Sequence, residues 1–152
     1  MAYDFFGIPV TELNVWLIWL LPFAAAMIIP AVGKFSKLST GRVAVAFAAM
    51  SAISAATLFP MALEAHEIHH QIMWIDAIGL KAGVLADPLS VIMANVVGWI
   101  SFLIMCYSTG YMKGDKDITR FWFWMMFFIG SMQLIILSDN LLQVFFGWEG
   151  VG

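Results

Sequence analysis

Long apolar runs separated by short polar stretches make up most of this chain. Four runs, at about 13–32, 43–63, 88–111 and 119–137, approach or exceed the length of about 20 residues that crosses about 30 Å of hydrocarbon. A fifth run, 140–152, starts near Leu141 and is incomplete. Backbone amides in hydrocarbon must be satisfied within the segment, so the runs predict helices. The predicted fold class is an all-α membrane protein, a multi-helix transmembrane bundle of four full spans plus the start of a fifth, in a single membrane domain over 1–152.

The composition supports a membrane protein. Of the 152 residues, 62% are hydrophobic and 11% are charged, whereas a soluble domain averages about 45–50% and about 25%. Lipid must therefore cover the excess apolar surface. The net charge of −3, with seven Lys and Arg in all, excludes the clustered basic surface that binds nucleic acid.

The basic residues predict an orientation. Six of the seven lie in the connections between spans one and two or between spans three and four: Lys34, Lys37, Arg42, Lys113, Lys116 and Arg120. By the positive-inside tendency these two connections face the cytoplasm or its equivalent. The N-terminus and the 64–87 connection then face outward.

The outer connection is too polar to span. Gly79 and Gly83 flank Lys81 between the short apolar runs 72–75 and 84–85. We interpret the two glycines as turn-formers in a small hairpin on the outer surface.

Glu149 is the strongest candidate for chemistry. If the fifth helix begins at Asp139 or Asn140, both good N-cap residues, Glu149 lies roughly 15 Å along it, near the bilayer midplane. Intramembrane carboxylates normally face protein or water and have a partner, and a nearby cation favours their charged form. Gly147 and Gly150 would let another helix come close to the acid. The competing interpretation is a structural acid that reaches water or makes a static hydrogen bond.

Other polar residues favour structural interpretations. His66, His69 and His70 form an H-x-x-H-H cluster with zinc-ligand spacing, but nothing completes a buried site, so we expect a solvated polar end of helix two. Asn95, Ser131 and Gln133 lie within spans, where most such residues hydrogen-bond between helices. Cys106 is the only cysteine and excludes an internal disulfide. The chain has no haem-type paired histidines, cysteine cluster or nucleotide loop.

Several motifs resemble one known family, subunit L of respiratory NADH:quinone oxidoreductase (complex I), a proton-pumping antiporter-like subunit. Residues 138–152, SDNLLQVFFGWEGVG, are similar to its fifth-helix signature. Upstream, DPLS at 87–90, YS at 107–108, GYM at 110–112, RF at 120–121 and GSM at 130–132 resemble its N-terminal region in order and spacing. The resemblance covers roughly 72–152, whereas 1–71 is similar only in character.

The resemblance implies a function for the acid. The family's glutamate at the position of Glu149 is a protonatable residue of the membrane channel and pairs with a lysine on a later helix. The resemblance also implies that quinone, NADH, FMN and iron–sulfur clusters bind other subunits. It implies that no cofactor or metal binds this chain. The partners would be other membrane subunits, including neighbouring antiporter-like subunits. The location would be a bacterial or archaeal cell membrane, or the inner membrane of an organelle.

Two alternatives remain open. Mrp-type cation/proton antiporter subunits share the Trp-Glu pair, although Gly150-Val151-Gly152 favours subunit L. A non-catalytic membrane scaffold or inactive fragment is the second. Members of the family are several times longer, so we expect this chain to be an N-terminal fragment, a truncated product or one half of a split subunit.

Overall fold

Most of the fold is a bundle of helices, with an antiparallel pair of strands between α3 and α4. The computed structural model describes residues 4–5, 8–76 and 79–152. The helices are α1 (Val10–Phe35), α2 (Lys37–Thr57), α3 (Phe59–Leu63), α4 (Pro88–Tyr111), α5 (Ile118–Leu137) and α6 (Leu141–Val151). The strands are β1 (Asp4–Phe5), β2 (Ile8–Pro9), β3 (Ile68–Ile75) and β4 (Leu80–Ala86), paired antiparallel as β1–β2 and β3–β4.

Four helical segments are long and apolar enough to cross a membrane. They are Glu12–Phe35, Lys37–Leu63, Pro88–Tyr111 and Ile118–Leu137. The fold class predicted from the sequence, an integral membrane protein of helical spans with a short hairpin, is confirmed. Because an apolar helix satisfies its backbone internally, these segments meet the requirement that hydrocarbon imposes.

Small residues on α2 allow close helix packing. Gly41, Ala44, Ala48, Ala52 and Ala55 recur at helical spacing and are buried. Helix α2 packs against α1 and α4, and Gly41 lies against the indole ring of Trp122 on α5. At Gly98 of α4, an added Cβ would lie 3.3 Å from the Cα of Ala52, so the two backbones approach closely there. Such small-residue contacts are the usual basis of helix packing in lipid.

Two hydrophobic clusters form the core of the described bundle. One lies at the hairpin end and includes Val15, Leu58, Val84 and Leu137. The other joins α1, α2, α4 and α5 around Trp122, which is fully buried. Helix α6 packs mainly on α5, at one side of the bundle.

The predicted hairpin is present, with one correction. β3 and β4 pair antiparallel from Ile68 opposite Ala86 onward. Gly79 has φ +66°, a turn conformation that favours glycine, but the interpretation of Gly83 as a turn-former was wrong. Gly83 lies inside β4, paired with Gln71. Its missing side chain is needed for a different reason, because the carboxylate of Asp139 occupies the space where a Cβ would be.

The two basic connections lie together at one end of the bundle. Lys37 Nζ donates a hydrogen bond of 2.9 Å to the carbonyl of Lys116, which joins the α1–α2 turn to the α4–α5 turn. The hairpin is at the ends of α3 and α4 that lie away from these turns. Which end faces the cytoplasm stays a prediction.

We predict the sidedness from cysteine labelling. In a Cys106→Ser background, cysteines introduced at Ser36 and Asp115 should react with a membrane-impermeant maleimide only from the cytoplasmic side. A cysteine at Glu67, which is exposed beside the hairpin, should react only from the outer side. The comparison uses intact cells and inverted vesicles, with the cysteine-free background as the control. The opposite labelling pattern would reverse the orientation.

Candidate functional site

Helix α6 begins at a well-formed cap. Asn140 is the N-cap, and its Oδ1 accepts a hydrogen bond of 2.9 Å from the backbone N–H of Gln143. Of the two caps that the sequence allowed, the structure therefore uses Asn140 rather than Asp139. Glu149 follows Leu141, the first helical residue, by about 12 Å of helix rise.

The face of α6 that meets α5 is made of small and polar residues. Gln143 and Gly147 are buried there. A Cβ on Gly147 would lie 2.7 Å from Cγ1 of Ile135 and 3.0 Å from the carbonyl oxygen of Ser131. A Cβ on Gly150 would clash with the hydroxyl of Ser131. The glycines do admit a close helix, and that helix is α5 of the same chain.

Glu149 lies on the other side of α6. Leu142, Phe145, Phe146 and Glu149 follow the spacing i, i+3, i+4, i+7 and are all exposed, as is Trp148 beside them. We call these five residues the open face of α6. The acid is therefore one polar group on an otherwise apolar and aromatic surface.

Glu149 borders an open cavity of about 490 Å³ between α5 and the end of α6. The other lining residues are Trp124, Met125, Phe127, Phe128, Gly150, Val151 and Gly152. Within the part of the chain that the structure describes, the carboxylate has no hydrogen bond or ion pair. The predicted pairing with a lysine on a later helix stays a prediction.

A polar cluster ties α6 to the hairpin at the opposite end of the helix. We call His69, Gln71, Asp139, Asn140 and Gln143 the junction cluster. Asp139 Oδ2 accepts hydrogen bonds of 2.7 Å from Gln71 Nε2 and 3.1 Å from His69 Nε2. Gln143 Oε1 accepts from the backbone N–H of Gly83 at 3.1 Å, and Asn140 Nδ2 donates to the carbonyl of Lys81 at 3.2 Å. The start of α6 is thus bonded to both strands.

The carboxylate of Asp139 remains ionised in this cluster. Its side chain is 3% exposed, and burial by itself raises the pKa. The hydrogen bonds from His69, Gln71 and Asn140 outweigh that effect, so the pKa of Asp139 lies below its ordinary value. The cluster is therefore built around a buried, hydrogen-bonded charge.

The histidines are not at the end of helix two, as the sequence suggested. His69 and His70 are in β3 and their side chains alternate across the strand. His69 faces Asp139, whereas His70 Nδ1 accepts a hydrogen bond of 3.1 Å from Trp16 Nε1 on α1. His70 Nε2 also lies 3.6 Å from Glu12. The predicted position at the end of helix two was wrong for His69 and His70, because their segment is an extended strand.

The three neutral polar residues predicted within the spans make two kinds of hydrogen bond, between helices and within one helix. Asn95 Nδ2 donates to the carbonyl of Ala55 on α2 at 2.9 Å, and Gln133 Nε2 donates to that of Ala94 on α4 at 3.0 Å. These bonds confirm the predicted interhelical role. Ser131 instead donates to Phe127 of its own helix at 2.9 Å.

The described residues place no three His, Cys, Asp or Glu side chains where they could hold one metal ion. Asp139 with His69 is a carboxylate–imidazole pair rather than a ligand set. Sequence reasoning missed the junction cluster because its members come from distant segments, with His69 and Asp139 70 residues apart. The sequence contains two separate signals for this cluster, which are the N-cap residue at the start of α6 and the histidine-rich segment.

Comparison with known proteins identifies relatives that are named as subunits of quinone or ubiquinone oxidoreductases. A profile of the family described as "NADH-Ubiquinone oxidoreductase (complex I), chain 5 N-terminus" matches residues 73–122. NADH-quinone oxidoreductase subunit L of Rickettsia bellii is 38% identical over 141 residues, which is 90% of this chain and 22% of that protein. NAD(P)H-quinone oxidoreductase subunit 5 of the spinach (Spinacia oleracea) chloroplast is 33% identical over 147 residues, covering 90% of this chain and 20% of that protein.

A shorter match has higher identity. NADH-ubiquinone oxidoreductase chain 5 of Dictyostelium discoideum is 41% identical over 80 residues, covering 53% of this chain and 12% of that protein. The chain spans 20–22% of the length of the Rickettsia bellii and spinach relatives. The similarity extends well beyond residues 72–152, where the sequence motifs had placed it.

We predict that the α5–α6 contact depends on Gly147. Gly147→Ala puts a methyl group against the α5 backbone, and overpacking of this kind costs about 1–3 kcal/mol. The thermal unfolding midpoint of the detergent-purified protein should fall. The matched control is Gly110→Ala in α4, where an added Cβ has no atom within 4 Å. That control should be neutral or slightly stabilising, and equal midpoints for the two variants would contradict the close packing.

Proposed function

We propose that this chain, whose sequence is similar to the N-terminal region of complex I subunit L and chain 5, is part of a proton-translocating membrane subunit. In this proposal quinone is reduced elsewhere in a redox-driven NADH:quinone oxidoreductase, or one with a related electron donor. Glu149 couples to that reaction by taking up and releasing a proton. The proposal applies to the assembled complex, and the residues present here supply one part of its proton path.

The observation that supports the proposal best is the position of Glu149 on the open face of α6. A carboxylate in contact with lipid near the midplane costs about 2.5–3.5 kcal/mol on insertion scales. The same face is formed by Leu142, Phe145, Phe146 and Trp148, all exposed. Apolar bulk around one acid fits a protein partner better than either lipid or bulk water. We propose that a later helix of the subunit covers this face and brings a lysine to Glu149.

A cation near the acid gives it the property that proton transfer requires. Burial favours the neutral acid and a nearby ammonium group favours the carboxylate. If the distance between the two groups changes with the state of the complex, Glu149 binds a proton in one state and releases it in the other. No electron passes through the residue, so this subunit would be a non-redox part of the enzyme.

The remaining assignments are proposals that the similarity to these relatives supports. NADH, FMN, iron–sulfur clusters and quinone would bind other subunits, and the partners would be neighbouring membrane subunits of the complex. We propose that residues 1–152 lie within one membrane domain. The relatives named above come from one bacterium, from a chloroplast and from Dictyostelium discoideum, which fits either a cell membrane or an organelle membrane. All are named as quinone or ubiquinone oxidoreductase subunits, so we prefer this function to an Mrp-type antiporter.

We predict that Glu149→Gln separates pumping from assembly. Glutamine keeps the shape and most hydrogen bonding of the side chain but cannot titrate. Positioned acid–base groups contribute about 10²–10⁴-fold to proton transfer, so NADH-driven proton uptake into inverted vesicles should fall by at least about tenfold while the complex still assembles. Glu149→Asp keeps a titratable group with a reach about 1.5 Å shorter, and partial pumping should remain.

The matched control is Glu67→Gln, which removes a carboxylate from an exposed position beside the hairpin. It should pump at the wild-type rate. Assembly is checked by native gel, and pumping by quenching of a ΔpH-sensitive dye. Wild-type pumping in assembled Glu149→Gln complexes would show that Glu149 is only a structural acid. Cation/proton exchange without NADH would favour the antiporter alternative.

A further inference from the structure

The start of α6 is held by side chains rather than by the bundle alone. Asn140 and Gln143 bond to the backbone of β4, at Lys81 and Gly83. Val84 of the same strand forms a β-bridge with Ser138, immediately before the junction cluster. The first turn of α6 therefore moves only if the hairpin moves with it or these bonds break.

Asp139 is the centre of the junction cluster. One carboxylate oxygen accepts from both His69 and Gln71 of β3, and the other accepts from Asn140 Nδ2 at 2.7 Å. Gly83 of β4 leaves the space that the carboxylate fills. Asp139 thus touches β3, β4 and the cap of α6 at once. Hydrogen bonds to a charged acceptor are roughly twice as strong as neutral ones.

The junction cluster is a permanent structural contact and does not act as a pH switch. A carboxyl group whose native pKa is below its unfolded value stabilises the fold above the unfolded pKa of about 3.9. That stabilisation is lost only as the pH falls through the native pKa, which for Asp139 is lower still. The groups facing Asp139 are His69 and Gln71 from β3 and Asn140 from the α6 cap.

Because helix α6 is short, the position of its first turn determines the orientation of the helix. It has 11 residues, and Asp139 precedes Glu149 by ten positions, or roughly 15 Å of rise. A rotation of α6 by one residue, about 100°, would move the acid off the open face and toward α5. The orientation of the acid is therefore set where the helix begins.

We propose that Asp139 is a positioning residue, which through its bonds to His69 and Gln71 of the hairpin fixes the rotation of α6 and so the direction in which Glu149 points. This inference rests on the proposed function of Glu149 for its consequence, but its structural part stands on the hydrogen bonds alone. It assigns the hairpin a task within the same subunit, as the anchor of the helix with the proton-transferring acid.

The test is Asp139→Asn in the intact complex, followed by two readouts. Asparagine keeps the volume beside Gly83 but loses the charge. Amide hydrogen exchange in residues 141–145 should become about tenfold faster or more, because charge-assisted bonds that hold the first turn are weakened. A hydrophobic carbodiimide that modifies protonated carboxyl groups should react at Glu149 with a pH midpoint shifted by at least about half a unit, since its surroundings change. The Glu149→Gln variant lacks the reactive carboxyl group, so the peptide that loses its label in this variant is the one labelled at Glu149.

The matched control is Glu64→Gln. Glu64 also pairs with a histidine, His66, at 3.7 Å, but both side chains are more than 70% exposed. Neither readout should change, because exposed ion pairs contribute little. If Asp139→Asn complexes fail to assemble, Gln71→Ala removes one donor only and should shift both readouts in the same direction by a smaller amount.

Three outcomes are distinguishable from the expected one. Unchanged exchange in residues 141–145 would show that the cluster does not hold α6, which overturns the proposal. Faster exchange with an unshifted midpoint at Glu149 would show a merely structural lock and overturns the positioning role. If both readouts shift but Glu149→Gln pumps normally, the positioning role stands and the proposed function of Glu149 fails.

Discussion

Hydrocarbon offers no hydrogen bonds, and that constraint determines most of what this chain does. Each polar group within a span must find its partner inside the protein. The backbone does so by forming helices, and Asn95 and Gln133 do so by donating to carbonyls of neighbouring helices. Polar clusters that need several partners, such as the junction cluster, lie at the ends of the spans. Four buried side-chain atoms of the described spans also lack a hydrogen-bond partner, on Trp19, Thr119, Trp122 and Gln133. Glu149 differs from these because it is ionisable and exposed on an apolar face, and an ionisable residue within a membrane is where function is expected.

The same constraint explains why α6 has two unlike sides. Toward α5 the helix presents Gly147 and Gly150, and Ser131 occupies the space they leave. Lipid tails give no hydrophobic drive for helices to associate, so this contact depends on close van der Waals packing. Toward the open side the helix presents aromatic bulk and one carboxylate. One side forms the contact with α5, and the other is exposed in the described bundle.

The sequence predicted the bundle well because membrane spans have a strong local signal. Length and hydrophobicity alone indicate where α1, α2, α4 and α5 run, and the cap at Asn140 is visible as a residue type. What it did not predict depends on contacts between distant segments. Gly83 looked like a turn residue, but its role is to make room for Asp139, 56 positions away. His69 and His70 were predicted to lie at the end of helix two, whereas pairing with β4 makes the segment extended. A pattern within one segment contains no information about either contact.

The division of α6 into a fixed and an open side bears on how an acid can transfer protons. A proton-transferring group needs a backbone that holds still, because a displacement of about 1 Å can greatly reduce the rate of transfer. It also needs surroundings that change, because a carboxylate with a constant environment has a constant affinity for protons. In the function proposed for Glu149, the two requirements would be met by different residues on one short helix. The junction cluster and the glycines hold α6 on the hairpin and on α5, while the carboxylate of Glu149 lies on the face that nothing in the described bundle covers. The acid can therefore gain or lose a charged neighbour without any rearrangement of the helices that hold it.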